Sequence, residues 1–243
     1  MSESIFVLGA SGGIGQALCK QLHARGARLA VAGRDGSRLE PLASELGAEC
    51  VVLEDDTMAS MTSAVEVAAE ALGGITGAVC CSGSLLLKPA HRTSDEEYRQ
   101  TMAANLDAAF AVVRGATKAM LRTGGSIVLV SSAAGRLGLA NHEAIAAAKA
   151  GIEGLARAAA ASGAARGIRV NAVAPGLTRT PLTEGLLGAP ASEAASVAMH
   201  ALGRLGEPED AARAIAWLLD PGQEWITGQV LGVDGGLSSV RAR

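Results

Sequence analysis

At 243 residues, 49% of them hydrophobic and 19% charged, the chain has the composition of a folded domain with a large core, not of a disordered segment. A net charge of -3 gives no footprint for nucleic acid, and no apolar run is long enough to span a bilayer. Cys19, Cys50, Cys80 and Cys81 lack C-x-x-C spacing and a His pair, which argues against a metal, and read as buried reduced thiols of a cytoplasmic protein.

The opening residues MSES run straight into the first strand and leave no room for a signal peptide. Ile5, Phe6, Val7 and Leu8 form an unbroken apolar run, the pattern of a strand buried on both faces. Gly9 ends it, and Gly13 and Gly15 flank the start of a helix over residues 16–25. Glycine allows a sharp turn and close approach of a ligand. The free N–H groups of a helix start, with their partial positive charge, attract anions. A diphosphate is the natural guest of such a junction, although the spacing differs from the common G-x-G-x-x-G and glycine also serves plain packing.

Further along, strands are predicted over 28–32, 49–53, 77–81, 126–131, 168–173 and 229–233. Helices are predicted over 37–46, 58–72, 96–121, 142–162 and 207–219, with Ser94 and Glu97 placed for a capping box. Residues 178–202 show no strong period and read as irregular. Strands alternate with helices throughout, with no repeat and no dividing linker, so the fold class is α/β: one doubly wound parallel sheet with helices on both faces. In such sheets ligands sit beyond the carboxyl ends of the strands. That singles out residues 9–15, Arg34, Asp55, 81–83, Ser131–Ser132 and Pro175–Gly176.

Taken together these strand ends resemble the short-chain dehydrogenase/reductase family over nearly the whole chain. The matches are G-x-x-x-G-x-G at Gly9, Gly13 and Gly15, and CCSG at 80–83 where the family has NNAG. Asn105 in AANLDAAF, Ser132 in SIVLVSSAAG and Lys149 seventeen positions later continue the series. NAVAPGLTRTP at 171–181, GRLGEPED and ITGQVLGVDGG complete it. The resemblance implies a Rossmann-type single domain over 1–243, of about seven strands, with a mobile segment over the cleft at 175–205. It implies a nicotinamide cofactor held by Gly9, Ser11, Gly13, Ile14 and Gly15, with Asp55 toward the adenine. Ser82, Gly83 and Lys149 would meet the ribose, and Pro175, Gly176 and Thr180 the nicotinamide. Ser132 would orient the substrate oxygen and Asn105 a water. The alanine-rich helices over 96–121 and 142–162 form a subunit interface in that family, so a homotetramer or homodimer is expected.

Two positions depart from the simplest version. The family's acid is a tyrosine four residues before the lysine, and that position holds Ile145. The only tyrosine, Tyr98, lies elsewhere, in DEEY. Isoleucine has no proton for the substrate oxygen; a general acid ordinarily contributes about a hundred- to ten-thousand-fold. His142, three residues before Ile145 and seven before Lys149, is expected on their helical face and carries an imidazole, a side-chain type suited to acid–base work, or else only shapes the pocket. At the end of the second strand, Gly33-Arg34 lacks an acid for the ribose hydroxyls and offers a guanidinium for a 2′-phosphate, with Ser11 and Arg38 beside it. That favours NADP over NAD, unless Asp35 pairs with Arg34. The expected function is an NADP-dependent oxidoreductase of a small alcohol, carbonyl or imine; the alternative is a non-catalytic NADP(H)-binding sensor or assembly partner.

Overall fold

The computed structural model describes residues 3–241; Met1 and Ser2 of the MSES reading lie outside the described residues. Seven strands form one parallel sheet: β1 Ser4–Leu8, β2 Arg28–Gly33, β3 Glu49–Val52, β4 Gly77–Cys80, β5 Gly125–Val130, β6 Ile168–Pro175 and β7 Val230–Val233. Their order is β3-β2-β1-β4-β5-β6-β7. The chain winds outward from β1 to β3, then returns to lay β4 on the other side of β1. That reversal opens a crevice at the carboxyl ends of β1 and β4.

Alternation along β1 shows why its apolar run is unbroken. Ile5 and Val7 join the core under helices α1 (Gly13–Ala24), α2 (Gly36–Leu46) and α9 (Pro208–Leu219). Phe6 and Leu8 join the core on the other face, with α3 (Met58–Ala71), α5 (Ala108–Met120) and α6 (Glu143–Gly163). Covered by helices on both sides, this central strand leaves neither face to solvent. Each of these side chains is at most 2% exposed and contributes about 1.5–3 kcal/mol on burial.

Several local expectations are corrected. Helix α1 starts at Gly13, three residues before the predicted start, because its first turn is made of the glycine segment itself. The span read as one helix over 96–121 is α4 (Asp95–Met102), a five-residue π turn at Ala103–Asp107, and α5. The capping box is formed: Ser94 Oγ accepts from Glu97 N at 3.2 Å, and Glu97 Oε2 accepts from Ser94 N at 2.8 Å. Residues 178–202 are not irregular, since they hold α7 (Glu184–Leu187) and α8 (Pro190–Met199). Pro190 starts α8 and alanines carry it, but neither helix has a buried residue, so no apolar stripe announced them. Of the cysteines, Cys19 and Cys80 are buried, whereas Cys81 is half-buried and Cys50 exposed.

Candidate active site

The cradle begins where β1 ends. Gly9 turns with φ +78°, and a Cβ there would stand 2.6 Å from Ser82 N. A Cβ on Gly15 would stand 2.3 Å from Gly9 O. Only hydrogen at both positions lets the turn fold back over the helix start. The cap of α1 is Gly12, and no side-chain oxygen bonds the helix start. Its first amides are therefore left for a ligand. An uncapped helix N-terminus behind glycines that any Cβ would block fits a dinucleotide's diphosphate.

A cleft of about 860 Å³ opens over this turn. It is lined by Gly9, Ser11, Gly13, Ile14, Gly15, Arg34, Ser82, Gly83 and Thr180, so these expected cofactor residues meet in one place. Thr180 lies across the helix start, with Cγ2 2.8 Å from where a Gly13 Cβ would be. Its hydroxyl shares a hydrogen bond with Thr183 Oγ1 at 3.1 Å. Pro175 and Gly176 lie apart from the cleft's lining: Pro175 ends β6, and Gly176 packs against His200 and Asp234.

The adenine end differs from expectation. Asp35 does not pair with Arg34; it caps α2, accepting from Ser37 N at 3.1 Å and Ser37 Oγ at 2.6 Å. The Ser37 hydroxyl holds its carboxyl below the usual range. Asp55 likewise turns away from the cleft and accepts from Thr57 N at 2.9 Å and Thr57 Oγ1 at 2.6 Å, bonds that lower its pKa. Of the two aspartates after β3, the one that lines the cleft is Asp56, 2.8 Å from Arg34 Nη1. Arg38 Nη2 donates to Ser11 O at 2.9 Å. Sequence reasoning missed Asp56 because two adjacent aspartates after a strand look alike until the turn chooses one.

Deeper in, Gly83 joins the cleft to two polar groups. A Cβ on Gly83 would stand 2.9 Å from Asn105 Oδ1 and 3.4 Å from Lys149 Nζ. Asn105 sits in the π turn and is fully buried. Its Nδ2 donates to Thr101 O at 2.9 Å, the acceptor its own backbone N–H would take in a regular α-helix, and to Ser84 Oγ at 3.1 Å. Its Oδ1 is buried without a partner. Lys149 is buried on α6, and its Nζ donates to Val130 O at 3.0 Å. Burial pushes its pKa down from 10.5 to about 8. An ammonium with three donors beside an acceptor with no partner is a site prepared for a hydroxyl or a water. Ser132 follows β5, and its Oγ accepts from Ala134 N at 3.1 Å.

His142 is not on the helical face expected of it. It precedes α6 as the residue before its first turn, half-buried, with Nδ1 2.8 Å from Ala140 O. Ile145 lies one turn before Lys149 on α6 and is buried.

A buried charge held by one carbonyl costs stability. Replacing Lys149 by methionine therefore stabilises the protein at neutral pH by about 1–3 kcal/mol and weakens nucleotide binding. The sign follows from linkage. Between pH 8 and 10.5 the unfolded chain holds the Lys149 proton and the folded one releases it, so the parent gains stability as pH rises through that window. The methionine variant loses this pH dependence. Thermal unfolding from pH 7 to 10.5, with a nucleotide titration beside it, measures both; a destabilised variant at pH 7 would make Lys149 a packing residue.

The family model described as enoyl-(acyl carrier protein) reductase matches residues 9–238. The galactitol 2-dehydrogenase (L-tagatose-forming) of Cereibacter sphaeroides is 37% identical, over 95% of this chain and 92% of its own. A protein named inactive 2-(S)-hydroxypropyl-CoM dehydrogenase 2, from Xanthobacter autotrophicus, is 36% identical over 88% of this chain and 96% of its own. Among solved structures, a short-chain type dehydrogenase/reductase from Mycobacterium ulcerans superposes with a TM-score of 0.93 at 28% identity, covering 100% of this chain and 93% of that one. With its parallel sheet, its glycine cradle and these relatives, the chain belongs to the short-chain dehydrogenase/reductase family of nicotinamide-dependent oxidoreductases.

Proposed function

We propose that this chain is an NADP-dependent oxidoreductase acting on a small alcohol, carbonyl or imine, with Ile145 where the family's catalytic tyrosine would stand. The observation that carries the reading is the pair of groups beside Gly83, an orphaned Asn105 Oδ1 and an under-partnered Lys149 ammonium, next to the cleft that Gly83 lines. A protein that only stored nucleotide would gain nothing from a buried acceptor left open. Arg34 at the end of β2, with no acid at Gly33, supports the 2′-phosphate.

When bound, a nicotinamide nucleotide would supply or accept the hydride. Lys149 would hold its ribose, and Ser132 would hold the substrate oxygen. In the reducing direction that oxygen must gain a proton, and Ile145 has none. A water anchored by Asn105 Oδ1 and Lys149 Nζ is better placed to give it than His142, whose ring is tied to Ala140 O. An iminium substrate relaxes the requirement, because it arrives protonated. Residues 175–205, which carry α7 and α8, open and close over the substrate in this reading.

Four of the five aromatic side chains are exposed in the single chain: Tyr98 on α4, Phe110 on α5, Trp217 on α9 and Trp225 ahead of β7. Aromatics stranded on two faces support a homodimer or homotetramer. Free cysteines throughout the described residues suit a reducing cytoplasm. No helix of the described residues is long and apolar enough to cross a membrane.

The second reading, a non-catalytic NADP(H)-binding protein, is favoured by Ile145, and one relative is itself named an inactive dehydrogenase. Titration with NADPH, followed by its fluorescence, is expected to saturate at micromolar concentration. A panel of aldehydes, ketones and cyclic imines is then expected to consume it. Saturable binding with no turnover across that panel selects the second reading.

A further inference from the structure

We propose that Asp56 sets the cofactor preference of this chain by holding Arg34 in an ion pair at the mouth of the nucleotide cleft, in competition with a 2′-phosphate. The inference rests on the reading of Arg34 as the phosphate-binding group.

β2 and β3 run parallel with Gly33 opposite Val52, so the loops that follow them leave the sheet side by side. Arg34 comes from the first loop and Asp56 from the second, and both line the cleft. Arg34 Nη1 stands 2.8 Å from Asp56 Oδ2, with the two side chains 67% and 58% exposed. The other acids nearby are spent: Asp35 caps α2 through Ser37, and Asp55 closes its turn through Thr57. Arg38 is directed to Ser11 O. Asp56 is thus the acid left facing the guanidinium. A Cβ on Gly33 would come no nearer than 3.7 Å to Ser11 Oγ, so the room that an acid on β2 would fill is open, and the acid comes from the next strand instead.

A 2′-phosphate carrying nearly two negative charges must share the Arg34 guanidinium with Asp56 or displace it. Either way two anions meet at one cation. NAD, with a 2′-hydroxyl at that place, meets no such repulsion. Asp56 therefore acts through Arg34 as a specificity-determining residue, lowering the preference for NADP that Arg34 creates. The pair is exposed, so the effect is modest and screened by salt.

The test is a fluorescence titration of NADPH and of NADH on the parent, Asp56→Asn and Arg34→Ala, at low and at high salt. Both positions are exposed, and circular dichroism checks that each variant is folded. Asp56→Asn is expected to tighten NADPH about three- to tenfold at low salt and to move NADH by less than about twofold, with the gain shrinking at high salt. Unchanged or weakened NADPH binding, or equal tightening of both nucleotides, overturns the proposal. Arg34→Ala separates it from the reading beneath: selective loss of NADPH with an inert Asp56→Asn leaves Arg34 in its role and removes Asp56. If Arg34→Ala moves neither nucleotide, the NADP assignment itself fails.

Discussion

Replacing Ile145 by tyrosine raises carbonyl reduction by about a hundred- to ten-thousand-fold. Ile145 and Lys149 are one turn apart on α6, so a phenol at 145 rises from the same face as the ammonium. A phenol's ordinary pKa is near 10, and a neighbouring cation lowers it toward working pH. Ser132 would fix the substrate oxygen from β5 while the phenol protonates it. The cost is steric: Ile145 is 3% exposed, and the larger ring must push outward toward the cleft. Overpacking of that kind costs about 1–3 kcal/mol, visible as a lower melting temperature. Steady-state reduction of an aldehyde and a ketone, with NADPH binding measured on the same samples, decides it. A folded variant that binds nucleotide as the parent does, with no faster reduction, means the cleft has been rebuilt around isoleucine. A cyclic iminium offers an internal control, because its nitrogen needs no proton when hydride arrives; its rate changes little in the variant.

How much of this was legible in the residues depended on burial. The strands of the sheet were readable because runs such as Ile5 to Leu8 face helices on both sides and tolerate no polar residue. The glycine turn was readable for the opposite reason, since Gly9 and Gly15 occupy places where a Cβ collides with backbone. Helix α8 was not, because a helix with no buried residue carries no periodic signal. The π turn at Ala103–Asp107 was hidden inside a stretch whose composition is helical throughout. Within it Asn105 Nδ2 donates to Thr101 O, the acceptor a regular α-helix would give to the Asn105 amide. After β3 the turn took Asp55 for its own closure and left Asp56 to line the cleft. His142 fell one residue outside the helix whose face was assigned to it. In the last two cases the difference lay at an element's end, where one local hydrogen bond or one residue of helix decides how a side chain is presented.

Gly15→Ala is expected to abolish nucleotide binding at concentrations that saturate the parent. The added methyl would lie 2.3 Å from Gly9 O, 2.8 Å from Ala10 Cα and 2.9 Å from Ala10 O, all backbone atoms that no rotamer change can move. The turn must open or the first turn of α1 must shift, and either displaces the uncapped amides that the proposed diphosphate site relies on. Losing two charge-assisted amide bonds at about 1.5–3 kcal/mol each weakens affinity by at least about a hundredfold. The same collision costs on the order of 1–3 kcal/mol of stability. Gly138→Ala is the matched control, since a Cβ there meets nothing within 4 Å. NADPH titration and thermal unfolding of both variants separate the two effects. If Gly15→Ala retains parental affinity, the anion is not held by the start of α1, and the nucleotide must enter this cleft by another edge.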